Sequence, residues 1–298
     1  MKILQYAVRP AILCKYFGQL CIALAALSVV PFAVSLIFKD YSVSIRYGIV
    51  IGSVLAGGFC CSRLKSSAKM QNNEAMVITA LIFVFSPLVM TWPVMGSGLN
   101  FTDALFETIS AVTTTGLSTA ATLTDKSQTF LFSRAWMQWV GGLGIVVLSM
   151  AILIQPGLTA KRLDIADSFD DDIIGGTRAI ARHTLIIYSL LTLTGILLLL
   201  LLGTDFFSSV LYVLAAVSTG GFSPHDASLQ GLDSGYARAV VIGFSMAGAV
   251  SLIVYYRVFH RGWRDAVSDQ QIQAFFITAI IITALLSYFS GIRRDLRP

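Results

Sequence analysis

The chain has 298 residues, of which 56% are hydrophobic and 12% are charged, and its net charge is +5. Soluble domains carry about 25% charged residues, so a chain of this length with half that share is expected to be an integral membrane protein. The positive charge does not indicate nucleic-acid binding, because the Lys and Arg residues fall between apolar runs, where membrane topology places them. The expected surrounding is therefore a lipid bilayer, and no nucleic acid is expected as a partner.

Seven apolar runs are long enough to cross a hydrocarbon core of ~30 Å as helices. They predict the fold class, an all-α integral membrane protein with transmembrane helices. The runs cover roughly 18–38, 46–62, 74–95, 134–155, 183–203, 238–256 and 272–290.

The Lys and Arg residues predict a cytoplasmic N-terminus, because cytoplasmic loops of membrane proteins carry an excess of these residues. With that orientation, 13 of the 21 lie on the cytoplasmic side and 8 on the outer side. The orientation requires the segments 101–118 and 206–223 to enter the membrane from outside and return without crossing it. The predicted cytoplasmic segments are 1–17, 63–73, 156–182 and 257–271.

These two re-entrant segments repeat each other. The first reads "FTDALFETISAVTTTGLS" and the second "FSSVLYVLAAVSTGGFS", and Gly116 and Gly221 lie 105 positions apart. Each follows one apolar run and precedes another, in the same order and direction. The pattern predicts a parallel duplication whose copies are related by an axis along the membrane normal.

Each copy begins with a short helix, predicted over 102–112 and 207–217. Thr102 or Asp103, and Ser208, are residue types that cap helix N-termini. Ten or eleven residues give only ~15–17 Å of helix, which is too short to cross the membrane. A half-helix that points inward brings the negative end of its dipole near mid-membrane, where it favours a cation.

A polar run follows each half-helix, and we call residues 113–118 loop 1 and residues 218–223 loop 2. Non-helical backbone at membrane depth occurs only where it is buried in protein or lines a water-filled cavity. Such runs can turn their carbonyl oxygens toward an axis, and rings of carbonyl oxygens replace the hydration shell of a cation. We therefore interpret both pore loops as selectivity-filter strands. The residues predicted to line the filter are Thr113, Thr114, Thr115, Gly116, Ser218, Thr219, Gly220 and Gly221.

Charged residues near the loops have two interpretations each. Glu107 is either a proton relay, as intramembrane acids often are, or a structural acid that binds backbone N–H groups behind loop 1. Gly116 lies 18 residues before Arg134, and Gly221 lies 17 before Arg238, which predicts equivalent positions for the two arginines. Both either pair with acids at the outer mouth or anchor their helices at the membrane interface.

Four segments carry a family resemblance: "FETISAVTTTGLS", "RAWMQWVGGLGIVVLSMAIL", "TRAIARHTLIIYSLLTLTGILLLLLLG" and "AAVSTGGFSPHDASL". They are similar to the Trk/Ktr/HKT superfamily of K⁺ transporters, and most to the membrane subunit of the bacterial Trk system. The resemblance covers about 60–256 and implies four pore-loop repeats around one pore, with Gly116 and Gly221 as the first two filter glycines. It also favours the supporting role of Glu107 behind the filter.

The resemblance further implies that K⁺ is the transported ion and that this chain carries no organic cofactor. It implies a bacterial inner-membrane protein that forms a homodimer and binds a cytoplasmic, nucleotide-binding regulatory subunit. The implied K⁺ contacts are at Thr114, Thr115, Gly116, Thr219, Gly220 and Gly221.

The sequence leaves three functions open. The leading one is potassium uptake by cation conduction through the filter. A chain that stops after two repeats and one further helix suggests the alternative of a non-conducting truncated remnant, or of a half-subunit that requires a second chain. A secondary cation-coupled transporter is disfavoured because the apolar runs contain almost no charge. An enzyme is disfavoured because no nucleophile–base pattern faces another run.

The predicted organisation of the chain has five parts. They are an N-terminal amphipathic lead and helix pair (1–62), a first pore-loop repeat (63–155), a cytoplasmic linker (156–182), a second pore-loop repeat (183–256), and a cytoplasmic loop with the first helix of an incomplete third repeat (257–298).

Overall fold

The structure is a computed structural model that describes residues 8–64, 71–153, 173–250, 254–255, 258 and 269–295. Every regular element within these residues is helical. The chain divides into two compact units, Met1–Ala249 and Val250–Pro298.

The first unit opens with a hairpin of two long helices, α1 (Pro10–Ile37) and α2 (Tyr41–Ser62). Helix α1 begins earlier than the apolar run at 18 predicts, because a proline at the first helical positions has a suitable fixed φ and needs no N–H partner. The second half of the predicted amphipathic lead is therefore part of α1. The Tyr47 hydroxyl on α2 donates a hydrogen bond of 2.9 Å to Ser133 Oγ, which ties the hairpin to the first repeat.

The two predicted repeats follow, each with a long helix, a short helix of twelve residues and a further helix. In the first repeat these are α3 (Asn72–Met95), α4 (Phe101–Val112) and α5 (Gln128–Leu153). In the second they are α6 (Ile173–Leu201), α7 (Phe206–Val217) and α8 (Gly235–Ala249), with a 3₁₀ turn at Ser228–Gly231 before α8. Helix α5 packs against both short helices, α4 and α7.

The helices extend beyond the apolar runs at several ends. Helix α6 begins at Ile173 rather than at 183, because the residues before the apolar run are mostly compatible with a helix. Residues 173–182 of the predicted linker are thus helical, and residues 156–172 lie outside the described part of the chain.

The second unit contains the long helix α9 (Gln270–Asp295). Among the described residues, five helices are long and apolar enough to cross a membrane. The predicted runs 134–155 and 238–256 continue into residues that the structure does not describe. The five spans are Pro10–Ile37, Tyr41–Ser62, Asn73–Met95, Arg182–Leu201 and Gln270–Tyr288.

Candidate functional site

Each half-helix is one residue longer at its N-terminus than predicted, and the residue that caps it precedes the predicted cap. Asn100 caps α4 by accepting a 2.8 Å hydrogen bond from the Asp103 N–H. Asp205 caps α7 in the same way, with 2.8 Å to the Ser208 N–H. The predicted caps at Thr102 or Asp103 and at Ser208 are therefore wrong, because these residues lie in the first turn, where they need a cap rather than provide one. Twelve residues give about 18 Å of helix, which is too short to cross a hydrocarbon core of ~30 Å. Each half-helix ends directly before its loop, at Val112 and Val217.

Loops 1 and 2 share one unusual backbone conformation. Thr114 and Thr219 both have φ +53°, and the glycines two positions later, Gly116 and Gly221, have φ +77° and +81°. A β-branched residue with positive φ is an outlier that costs of order 1–3 kcal/mol and persists only where its surroundings impose it. Each threonine closes its half-helix in a Schellman motif, because the next N–H, of Thr115 or Gly220, donates to the carbonyl of Ser110 or Ala215 at 2.9 and 2.8 Å. Glycine is the usual residue at this position, so the threonine is what makes the conformation unusual. The repeat of this strain in both copies marks the loops as the candidate functional site.

The two loops contact each other at their glycines. A Cβ atom on Gly116 would overlap the carbonyl oxygen of Gly220. Position 116 therefore requires glycine for two reasons, its positive φ and the approach of the second loop.

Glu107 holds loop 1 from within its own half-helix. Its side chain is fully buried, and Oε1 accepts hydrogen bonds from Ser118 Oγ at 2.6 Å and from the Thr119 N–H at 2.8 Å. Ser110, one turn further along α4, donates to the Leu117 carbonyl at 2.6 Å. A carboxylate that accepts these hydrogen bonds fixes the residues that follow loop 1. The role of Glu107 as the support of an ion filter stays a prediction.

Arg134 on α5 joins Glu107 to loop 2. Its side chain is 2% exposed, and its Nε atom lies 3.0 Å from Glu107 Oε2 in an ion pair without a linear hydrogen bond. The guanidinium carbon also lies 3.9 Å from the ring centroid of Phe222, within cation–π range. One buried cation therefore contacts the support of loop 1 and a residue of loop 2.

Gln138 lies one turn after Arg134 and is also fully buried. Its Nε2 donates a 2.7 Å hydrogen bond to the Gly220 carbonyl, and its Oε1 accepts one of 3.3 Å from the Phe222 N–H. The amide thus holds loop 2 on both sides of Gly221. Since Gln138 belongs to the first repeat, α5 supports the loop of the second.

Comparison with known proteins places this architecture in a family. The sequence pattern of the family named TrkH, described as a cation transport protein, matches residues 42–277. The chain belongs to the TrkH family. The resemblance inferred from the four sequence segments is therefore confirmed, and with the five apolar helices it makes the chain a multi-pass, all-α membrane protein.

Two relatives of this TrkH-family chain are named as potassium uptake proteins. It is 28% identical to the Trk system potassium uptake protein TrkG of Escherichia coli (strain K12), over 87% of this chain and 55% of TrkG. It is 31% identical to the Trk system potassium uptake protein TrkI of Halomonas elongata, over 94% of this chain and 58% of TrkI. The crystal structure of the potassium transporter TrkH from Vibrio parahaemolyticus shares the fold, with a TM-score of 0.77 at 24% identity, over 92% of this chain and 58% of that one. The chain thus spans somewhat more than half the length of these proteins.

Within this TrkH-family fold, the second repeat replaces Glu107 with a tyrosine. Tyr212 lies 105 positions after Glu107, at the equivalent place on α7. Its hydroxyl donates to the Ser228 carbonyl at 2.7 Å and lies 3.1 Å from His225 Nδ1. Both repeats therefore fix the segment after the loop from the half-helix, one with a charged acceptor and the other with a phenol.

The predicted equivalence of Arg134 and Arg238 is wrong. Arg238 is half-buried and donates to the Leu232 carbonyl at 3.1 Å, in the segment before α8. The residues that occupy equivalent positions on α5 and α8 are Gly141 and Gly248, because both make the same contact in their repeats. A Cβ on either would overlap the carbonyl oxygen of the last residue of its half-helix, Val112 or Val217.

These two glycines lie 107 positions apart, whereas the filter glycines lie 105 apart. The segment between loop and helix is therefore two residues longer in the second repeat. That insertion shifts the alignment on α8, so Arg134 has no arginine at the matching position.

The predicted filter residues divide into two groups by exposure. Thr113, Thr114, Thr115, Gly116, Thr219 and Gly221 are exposed or half-buried, whereas Ser218 and Gly220 are buried. Ser218 Oγ donates to the Leu214 carbonyl at 2.8 Å, back into α7. The contact of all eight with an ion stays a prediction.

Asp226 links the segments that follow the two loops. Its Oδ1 accepts a 2.6 Å hydrogen bond from the Leu123 N–H, and its Oδ2 accepts one of 2.7 Å from Thr124 Oγ1. The bond from Thr124 and that from the Leu123 backbone hold the pKa of Asp226 below its usual range.

The sequence analysis does not identify Asp226 or Gln138 as candidate functional residues. A lone amide in an apolar run, spaced i, i+4 from an arginine, was a usable signal for Gln138.

Proposed function

We propose that this chain is part of a potassium-uptake protein of the bacterial inner membrane, and that loops 1 and 2 line its cation path. The observation that carries the proposal is the matched pair of strained loops, with left-handed Thr114 and Gly116 in one and Thr219 and Gly221 in the other. Relatives named as potassium-uptake proteins support the choice of ion.

The chemistry of the proposed path comes from the backbone. K⁺ enters such a path when carbonyl oxygens replace its water ligands at a comparable free energy. Helices α4 and α7 end at the loops, so the negative ends of their dipoles add to the attraction for a cation. Both contributions come from main-chain atoms, which explains why the loops need small residues and special φ angles rather than acidic side chains.

The proposed orientation places the N-terminus in the cytoplasm and the segments 119–133 and 224–236 outside. The excess of Lys and Arg in the predicted cytoplasmic segments supports it. A homodimer and a nucleotide-binding regulatory subunit belong to the same proposal, with docking at arginines of the cytoplasmic face. Arg182, at the start of the apolar part of α6, is exposed. The other candidates are Arg178, whose side chain is not described, and Arg257, Arg261 and Arg264, which lie outside the described residues.

The test is ion uptake by cells that lack other potassium-uptake systems, with the gene for this chain kept at its own locus. Such cells, when they carry the wild-type gene for this chain, are expected to grow at low external K⁺ and to take up K⁺ in preference to Na⁺. Gly116→Ser adds a side chain at positive φ against the Gly220 carbonyl, which spreads the loops. The ratio of K⁺ to Na⁺ uptake is expected to fall by about tenfold, equivalent to about 1.4 kcal/mol.

The matched control is Gly57→Ser on α2, because a Cβ at Gly57 meets no atom of the described chain within 4 Å. This variant is expected to keep the wild-type ratio. Equal effects of the two variants would contradict the assignment of loop 1 to the ion path. Wild-type cells whose growth does not depend on this gene at low K⁺ would contradict the proposed function itself.

A further inference from the structure

The buried amide of Gln138 has one possible orientation. Its two ends face a carbonyl oxygen, that of Gly220 at 2.7 Å, and an N–H group, that of Phe222 at 3.3 Å. The reversed amide would place oxygen against oxygen and N–H against N–H. The side chain is therefore a donor to Gly220 and an acceptor from Phe222, and it is fully buried in that role.

These two bonds fix the peptide planes on both sides of Gly221. In a trans peptide the C=O and the N–H point in opposite directions, and the described chain contains no cis peptide bond. Because the Phe222 N–H points at Gln138, the Gly221 carbonyl of the same peptide points away from α5. The Gly220 carbonyl, in contrast, points toward α5 and is already engaged by a donor.

Packing makes this arrangement rigid. A Cβ on Gly220 would overlap the amide group of Gln138, so the loop lies directly against the side chain. Arg134, one turn earlier on the same face of α5, covers the Phe222 ring at 3.9 Å. Loop 2 is therefore held at Gly220 and at Phe222, and Gly221 between them is exposed.

We infer that Gln138 is a specificity-determining positioning residue, which presents the Gly221 carbonyl to the transported cation and withdraws the Gly220 carbonyl from it. This inference rests on the proposed function. It also refines the predicted ion contacts, because it retains Gly221 and removes Gly220. Without the amide, the two peptide planes can rotate, and the spacing of ligands that separates K⁺ from the smaller Na⁺ is lost.

The first experiment replaces Gln138 by Met, which has similar length and no amide. The variant loses the hydrogen bonds to the Gly220 carbonyl and from the Phe222 N–H, and the net free energy of two such bonds is enough for a tenfold fall in the ratio of K⁺ to Na⁺ uptake. The amount of protein in the membrane is expected to stay near wild type. The control is Gln128→Met, because Gln128 is an exposed residue at the start of the same helix. A merely structural role for Gln138 would lower K⁺ and Na⁺ uptake together and leave their ratio unchanged.

The second experiment uses the wild-type chain and remains informative if the variant fails to fold. A heavy-isotope label is placed on the carbonyl of Gly220 or of Gly221, and the infrared band of each is recorded in K⁺ and in Na⁺. Only the Gly221 band is expected to shift when the ion is exchanged. A shift of the Gly220 band, or no shift at either, would overturn the inference.

The two proposals fail in different ways. Wild-type protein that takes up no K⁺ removes the proposed function, and the inference with it. Selective uptake by wild type, together with an unchanged ratio in Gln138→Met, would leave the proposed function intact and remove the role of Gln138.

Discussion

Gly141 lies where α5 crosses the end of the first half-helix, and its replacement by Ala tests how closely α5 must approach loop 1. A Cβ at this position would overlap the Val112 carbonyl oxygen. Val112 is the last residue of α4, so any displacement is passed directly to Thr113 and the rest of loop 1. Gly144, one turn later on α5, provides the comparison, because a Cβ there lies 3.6 Å from Phe83 Cζ, an ordinary contact.

Alanine in place of glycine within a helix gains roughly 0.5–1 kcal/mol, and this gain applies to both variants. Overpacking a tight interior costs typically about 1–3 kcal/mol, and this cost applies only at Gly141. The free energy of unfolding of Gly141→Ala is therefore expected to be about 2 kcal/mol lower than that of Gly144→Ala. Gly144→Ala should be as stable as wild type or slightly more stable.

The assay is denaturant-induced unfolding of the purified protein in mild detergent, followed by helix content, with K⁺ uptake measured in parallel. Uptake should fall in Gly141→Ala and remain in Gly144→Ala. If Gly141→Ala were as stable and as active as Gly144→Ala, the close approach of α5 to Val112 would not be a property of the folded protein.

Three further predictions concern charge and topology. Glu107→Gln leaves Arg134 buried without its counter-charge, so the free energy of unfolding should fall by about 3–5 kcal/mol; wild-type stability in the same unfolding assay would contradict the ion pair. Asp226 has a lowered pKa in the folded state, so its contribution to stability is complete above the unfolded pKa of about 3.9 and is lost as the pH falls through the folded pKa. Asp226→Asn should therefore flatten the dependence of the unfolding temperature on pH below about 4, and an unchanged profile would exclude the contribution. Single cysteines at Ser127 and Ser168 in a cysteine-free chain should react with an impermeant thiol reagent from outside at Ser127 only; labelling at Ser168 would reverse the orientation.

The half-helices and loops could be predicted from sequence because they are local features that occur twice. The predicted bounds 102–112 and 207–217 differ by one residue at the N-terminus from Phe101–Val112 and Phe206–Val217. Length, polarity and a terminal glycine are properties of contiguous residues, so they are visible without any tertiary structure. The positive φ of Gly116 and Gly221 also follows from the residue type that both loops keep.

Contacts between the repeats could not be predicted in the same way. Arg134 and Arg238 matched by spacing, but the second repeat has two more residues between loop and helix, and this moved the true equivalence to Gly141 and Gly248. Gln138 reaches a residue 82 positions away, a partner that no local pattern indicates. The caps were missed because Thr102, Asp103 and Ser208 are themselves good capping types. Only the path of the chain identifies Asn100 and Asp205 as the residues outside the first turn.

The support of loop 2 by α5 has a consequence for how the protein is made. Synthesis proceeds from the N-terminus, and upstream structure generally forms first. Loop 1 is held by Glu107 and Ser110 of its own half-helix, so these two supports are translated before it, although Arg134 and loop 2 follow later. Loop 2 is translated after Gln138 and Arg134, so it can pack against α5 as soon as it is made. An exchange of the two repeats in the gene would place loop 2 before α5 in the sequence. The strained backbone of loop 2 would then lack the support of Gln138 and Arg134 until α5 had been translated.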